Sequence, residues 1–238
     1  MKNLWAFFWT LATCAVFISS LGLASRRKVM DQTLSRKVMH IGNGILFVLF
    51  WPCYTEHAVS KYLCASVPLV AALHFAMVGL GAVTDESLVA SATRTGDRRE
   101  LLRGPLLYGT IIGTLTIIFW RESPSGVTAI AVLCAGDGLA DIVGRRLGAA
   151  NRLPYSPDKS AAGSMACFLG GAVAAGACLV YLRKWNCLSQ ELGTWEIALG
   201  SIITAGVGAA VESLPLAEVD NWTVPLAAAL TARAFFGY

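Results

Sequence analysis

The sequence predicts an all-α protein, a polytopic membrane helical bundle of seven or eight transmembrane helices forming one domain over residues 1–238. Three observations predict it. Hydrophobic residues make up 55% of the chain and charged residues only 14%, with a mean hydropathy of +0.60. A soluble domain carries about 25% charged residues. The apolar residues fall into long uncharged runs, and the charges sit between those runs. So many nonpolar side chains cannot be hidden in one small core, so the lipid bilayer is the expected solvent and partner.

The uncharged runs are Leu4–Ser25, Ile41–Thr55, Tyr62–Thr84, Gly104–Trp120, Ser123–Gly136, Ala161–Leu182, Ile197–Val211 and a short one near Trp222–Ala232. A spanning helix needs about 20 residues, with roughly 17 as the lower limit. The first, third, fourth and sixth runs meet that length. The other four span only by drawing in polar residues at their ends. The first run exceeds the apolar stretch of a signal peptide and is followed by Arg26-Arg27-Lys28, so it reads as a retained helix.

Thirteen of the nineteen Lys and Arg residues fall in the loops 26–39, 85–103, 137–160 and 212–221. With eight spans these loops share one side, and the positive-inside rule assigns it to the cytosol or to its stromal or matrix equivalent. Most of the acidic residues lie there too. The net charge of +4 is spread between apolar runs, so nucleic acid is not an expected partner. Seven cysteines without a C-x-x-C pair indicate neither a disulfide framework nor a zinc site. His40, His57 and His74 lack metal-ligand spacing.

Polar chemistry concentrates in a few segments. Ala135-Gly136-Asp137-Gly138-Leu139-Ala140-Asp141 carries an apolar helix into two aspartates, followed by Arg145-Arg146. On a helix the two carboxylates share a face. A carboxylate at the hydrocarbon edge is costly unless paired or hydrated. Two of them beside Gly136 and Gly138 suggest a site for Mg²⁺ and phosphate, with Arg145 and Arg146 for phosphate oxygens. The plain alternative is that Asp137 and Asp141 pair with those arginines.

Lys159-Ser160-Ala161-Ala162-Gly163-Ser164 opens an apolar helix whose free N–H groups favour an anion. It is no P-loop, because Leu153 and Asp158 stand where the glycines belong. A snorkelling lysine with a serine cap explains it equally well. Gly96–Pro105 contributes Arg98, Arg99 and Arg103, while Glu212 and Asp220 add oxygen donors. Ser35-Arg36-Lys37-Val38-Met39-His40-Ile41-Gly42 is one more basic helix entrance.

From Ser35 to Pro225 the chain is similar to the phytol kinase and farnesol kinase family, itself distantly similar to dolichol kinases and CDP-diacylglycerol synthases. The resemblance is carried by Gly96–Pro105, Ala135–Arg146, Lys159–Ser164, Glu212–Pro215 with Asp220-Asn221, and Arg121-Glu122-Ser123-Pro124. It implies CTP-dependent phosphorylation of a membrane-dissolved isoprenoid alcohol, with Mg²⁺ as cofactor. Asp137 and Asp141 would serve the metal, one of them taking the alcohol proton. Lys159, Arg145 and Arg146 would bind the triphosphate, supported by Arg98, Arg99 and Arg103. Ser160, Gly163 and Ser164 would make close backbone or hydroxyl contacts. Glu212 and Asp220 would hold a second metal or orient the cations.

A chloroplast membrane is the implied location, with the endoplasmic reticulum second; plastid members usually begin with a longer targeting region than this chain shows. Two other functions fit the residues: a cytidylyltransferase making a CDP-lipid, and an ion-coupled transporter. Against the transporter, the acidic residues cluster at one interface and no inverted repeat is evident.

The loop charges generate a topology prediction. Cysteine-accessibility labelling should place residues 96–103, 145–159 and 218–221 on one side of the membrane, and 56–61 and 183–191 on the other. Labelling of positions 97 and 158 from opposite sides would overturn it.

Overall fold

The computed structural model describes residues 1–189, 191–215 and 219–237. It is an all-α membrane bundle, and each uncharged run becomes a helix. The chain divides into two compact units, Met1–Ile117 and Ile118–Tyr238. Six helical rods are long and apolar enough to cross a bilayer among the described residues. The two remaining apolar runs, the second and the last, also form helices but fall short of that standard. One is the 18-residue helix Gln32–Leu49, which carries Arg36 and Lys37; the other is the 17-residue helix Asp220–Phe236.

In the first unit, α1 (Lys2–Arg26), α2 (Gln32–Leu49), α3 (Ser60–Leu80), α4 (Glu86–Ala92) and α5 (Gly104–Ile118) follow in order. Asp31 and Asp85 start α2 and α4 by accepting from the backbone N–H groups of Leu34 (2.9 Å) and Leu88 (2.8 Å). Gly81 ends α3 at φ 85°, a left-handed turn that glycine adopts without strain. Leu21, Met39, Phe75, Val78, Leu88, Ala92 and Leu101 form its core.

Polar bonds fix which ends of this unit lie together. Asn3 donates to Thr55 and Ser60 at 3.0 and 2.9 Å and accepts from the Thr55 amide at 2.8 Å. At the opposite end Arg26 meets Glu86 at 3.2 Å and Gln32 donates to Thr93 at 3.0 Å. The loops 26–39 and 85–103 therefore share an end, as their charges predict.

The second unit is built round a rod. The helix α6 (Pro124–Ala131) runs into a π-helical stretch, Val132–Asp137, and on into α7 (Gly138–Leu147). Residues 124–136 are all buried, enclosed by α8 (Ala161–Lys184), α9 (Thr194–Glu212) and α10 (Asp220–Phe236). A two-stranded antiparallel hairpin, β1 (Arg152–Leu153) and β2 (Ser156–Ser160), links α7 to α8. Glu122, at the start of the rod, accepts from Ser189 beyond α8, so these two meet at the other end. Residues 216–218, including Glu218, lie outside the described residues.

Small residues make the close helix approaches expected of a membrane bundle. A Cβ at Gly170 would lie 3.3 Å from the Ala135 carbonyl oxygen, and one at Gly171 would lie 3.4 Å from Ala205 Cβ. In the first unit Gly22 is tighter still, since a Cβ there would fall 2.4 Å from the Ser87 carbonyl oxygen. Gly22→Val should therefore lower stability by about 1–3 kcal/mol through overpacking. Melting of the purified protein in detergent checks this; a melting temperature equal to wild type would show that α1 and α4 can part freely.

Candidate functional site

The polar residues of the second unit gather where the hairpin meets the ends of α9 and α10. Lys159, on β2, points its ammonium between two carboxylates: Nζ lies 2.5 Å from Glu212 Oε1 and 3.2 Å from Asp220 Oδ2. Local structure explains this placement. Ser160 Oγ accepts from the Gly163 amide at 3.1 Å, capping α8, and so fixes the residue just before it. Glu212 is the last residue of α9 and Asp220 the first of α10. Tyr155, in the hairpin turn, donates to Ser213 Oγ at 3.1 Å and ties the hairpin to the end of α9.

Electrostatics at this point are uneven. Burial alone would push the Lys159 ammonium down, but the hydrogen bond and charge of Glu212, joined by Asp220, outweigh it and hold the group above its usual range. Asp137, closing the π-helical stretch, adds its charge to that of Asp220 in acting on Glu212. Two carboxylates thus hold the ammonium, and Asp137 acts on one of them, Glu212. The Glu212 side chain is only 5% exposed, and its Oε2 is buried without a hydrogen-bond partner. The hydroxyls of Ser156 and Ser164 are also buried and unpartnered. Such groups cost free energy unless something satisfies them.

The two aspartates of the α7 segment lie in different settings. Asp141 accepts from Arg145 Nε at 2.9 Å, one helical turn on, which is the plain pairing that the spacing allows. Asp137 instead belongs electrostatically with Glu212. Arg145 and Arg146 are exposed at the end of α7. Gly136 and Gly163 serve packing: a Cβ at Gly136 would lie 3.2 Å from the Cys167 carbonyl oxygen, and one at Gly163 would lie 3.0 Å from that of Ala140. Gly138 opens α7 directly after Asp137.

Arg98, Arg99 and Arg103 belong to the first unit. There Arg98 lies over the Gly81 turn, and the Arg99 amide donates to Asp97 at 2.9 Å. Glu100 closes the same turn, accepting from Arg94, Thr95 and the Thr95 hydroxyl at 2.6–3.0 Å. Sequence reasoning missed Tyr155 and Ser156. The paired prolines of Pro154-Tyr155-Ser156-Pro157 mark the turn, but an all-α expectation left no place for a hairpin.

Among the described residues no three His, Cys, Asp or Glu side chains form a ready-made metal cage. Mg²⁺ does not require one, since it keeps several waters and takes one or two carboxylates together with substrate phosphates. The open Oε2 of Glu212, with Asp137 acting on it, fits that donor chemistry.

The chain is 42% identical to a probable phytol kinase 2, chloroplastic, of Oryza sativa subsp. japonica over 214 residues, covering 89% of this chain and 69% of that protein. It is 41% identical over 217 residues to phytol kinase 1, chloroplastic, of Arabidopsis thaliana, covering 90% and 70%. The farnesol kinase, chloroplastic, of the same plant is 37% identical over 226 residues, covering 94% and 71%. No family model matches the chain. No solved structure matches it either. The protein is thus a polytopic membrane phosphotransferase with an alcohol acceptor. It belongs to the phytol kinase and farnesol kinase family.

The lysine clasp generates a stability prediction. Lys159→Met leaves Glu212 buried without its counter-charge and should cost about 3–5 kcal/mol, much of it restored by adding Glu212→Gln. The pH dependence follows from the raised ammonium. The clasp contributes fully below the ordinary lysine value of 10.5 and is lost as pH climbs through the higher folded value. Melting curves of wild type and Lys159→Met should therefore differ at pH 7 and converge in strong alkali. A constant difference at all pH values would remove the charge from the explanation.

Proposed function

We propose that this chain transfers the γ-phosphate of CTP to the hydroxyl of a membrane-dissolved isoprenoid alcohol of the phytol, farnesol and geranylgeraniol class, in a chloroplast membrane. The observation that carries the reading is the charged cluster of Lys159, Glu212, Asp220 and Asp137 at the end of apolar helices. A water-borne triphosphate and a lipid-borne hydroxyl can both reach such a place. A C15–C20 tail gains on the order of 10 kcal/mol from its lipid surroundings, so the enzyme need only bring the hydroxyl to the interface.

The chemistry is positioning and charge neutralisation. The alcohol oxygen forms a bond to Pγ while the bond from Pγ to the CDP oxygen breaks, and the alcohol proton passes to a carboxylate, which we assign to Asp137. Glu212 and Asp137 would hold Mg²⁺, with Asp141 and Asp220 at the margin; the ion supplies charge neutralisation on the phosphates. Lys159 faces the triphosphate, kept charged by its two carboxylates. Arg145 and Arg146 supply exposed guanidinium groups for the outer phosphates. Ser160 acts by holding the end of β2, and Ser164 offers an uncommitted hydroxyl.

Purified protein in detergent, supplied with labelled nucleotides and a panel of prenols, tests the reading. CTP with Mg²⁺ should yield prenyl monophosphate and CDP in preference to ATP. Pyrophosphate released with a phosphatidate substrate would establish the cytidylyltransferase instead. Asp137→Asn keeps the side-chain shape, so the protein should fold and melt normally while turnover falls by several orders of magnitude. Near-normal turnover per folded molecule would take Asp137 out of the reaction.

A further inference from the structure

Tyr155 stands beside the charged cluster and has no part in the chemistry above. Its hydroxyl donates to Ser213 Oγ at 3.1 Å, and Ser213 donates its own proton to the Ala210 carbonyl oxygen at 2.7 Å. The ring is therefore anchored at its tip, on the residue next to Glu212, where the Lys159 ammonium also ends. Two side chains of the hairpin thus reach adjacent residues at the end of α9.

The rest of the residue is open. Tyr155 is 57% exposed, and among the described residues no second aromatic ring packs on it. Arg152 and Asp158, within three residues on either side, are exposed charges, so the hairpin lies in water. A tyrosine of the membrane interface turns its ring to lipid and its hydroxyl to water. In Tyr155 the hydroxyl is turned inward instead. A flat ring fixed by its tip and left open is the form of a stacking platform, which offers a large contact area at little cost in side-chain freedom.

Ser156 adds a second, independent observation. It is 1% exposed, and its Oγ is buried without a hydrogen-bond partner. A nucleoside brings ring nitrogens, an exocyclic group and ribose hydroxyls, any of which can satisfy such an atom. The sugar also separates the base of a nucleotide from its outer phosphates. A platform for the base must flank a phosphate site without filling it, and Tyr155 flanks Lys159 in that way.

We propose that the open ring of Tyr155 seats the base of the nucleotide, which stacks on it while the Lys159 cluster takes the phosphates. Every base has a π-face, so the ring supplies affinity and leaves the choice of base to other groups. The proposal rests on the nucleotide-dependent kinase reading for the identity of the ligand.

The test uses the full chain in nanodiscs and compares two ligands by calorimetry, CDP and inorganic tripolyphosphate, each with Mg²⁺. Only CDP carries a base. Tyr155→Ala should weaken CDP about tenfold, the loss expected for one base–aromatic stack, and leave tripolyphosphate unchanged. Its KM for CTP should rise by the same factor while KM for the alcohol holds. Tyr155→Phe keeps the ring without its tether and should retain most of the CDP affinity. Irradiated 5-iodo-CTP, whose base couples to a stacked aromatic ring, should label Tyr155 in wild type.

Equal loss of CDP and tripolyphosphate in Tyr155→Ala would mean that the ring acts only by bracing the hairpin, and would overturn the seat. Unchanged CDP affinity, or label placed elsewhere in the chain, would overturn it as well. Each of these results leaves the kinase reading intact if wild type turns over prenols. A wild type that binds CDP but phosphorylates no prenol sinks the kinase reading, and the two ligands and the label still decide the seat. A wild type that binds no nucleotide overturns both. Should Tyr155→Ala fold poorly, Tyr155→Leu takes its place, with the same results supporting or overturning the seat.

Discussion

A half-buried ammonium between two carboxylates holds the second unit together where the hairpin meets the ends of α9 and α10. Each charge would be costly to bury alone at the border of an apolar bundle. Together, Lys159, Glu212 and Asp220 make the cost bearable and join three separate segments: the hairpin, the end of α9 and the start of α10. The neighbouring contacts serve this one. The Ser160 cap fixes the backbone beside Lys159, and the Tyr155–Ser213 bond holds the hairpin against α9. One ammonium against Glu212 and Asp220 leaves negative charge in excess, and Asp137 adds to it through Glu212.

Much of the fold was legible because the bilayer imposes a simple grammar. A helix long enough to span must be uncharged over its length. Breaks at Arg26, Lys61, Arg121 and Arg183 therefore mark helix ends directly. Within each unit the grouping of loops was legible too: the Arg26–Glu86 pair joins 26–39 to 85–103, and the Lys159–Glu212 pair joins 137–160 to 212–221. The short runs 41–55 and 222–232 were harder, because α2 begins nine residues before its uncharged stretch and includes Arg36, Lys37 and His40. Composition cannot show that a charged turn continues a helix.

The site was legible at the level of segments and opaque at the level of partners. Asp137 and Asp141 looked equivalent from their spacing. Only the structure separates them, Asp141 facing Arg145 along its own helix and Asp137 acting on Glu212 seventy-five residues later in the chain. Likewise Gly163 reads as a ligand-approach glycine until α7 is seen packed upon it. Pairings between distant segments leave no local trace, and no single-chain periodicity recovers them.

The π-helical stretch Val132–Asp137 has a further consequence for the rod it interrupts. A π turn closes on the fifth residue where an α turn closes on the fourth. The angular phase of α7 is therefore offset from that of α6, although the two run on as one rod. A helical wheel drawn continuously from Pro124 to Leu147 would assign wrong directions to every side chain after the junction. The offset frees the buried half of the rod, committed to packing from Pro124 to Gly136, from the half that bears Asp141, Arg145 and Arg146. Each half can satisfy its own surroundings, apolar neighbours for one and charge for the other, without a shared azimuth binding the two.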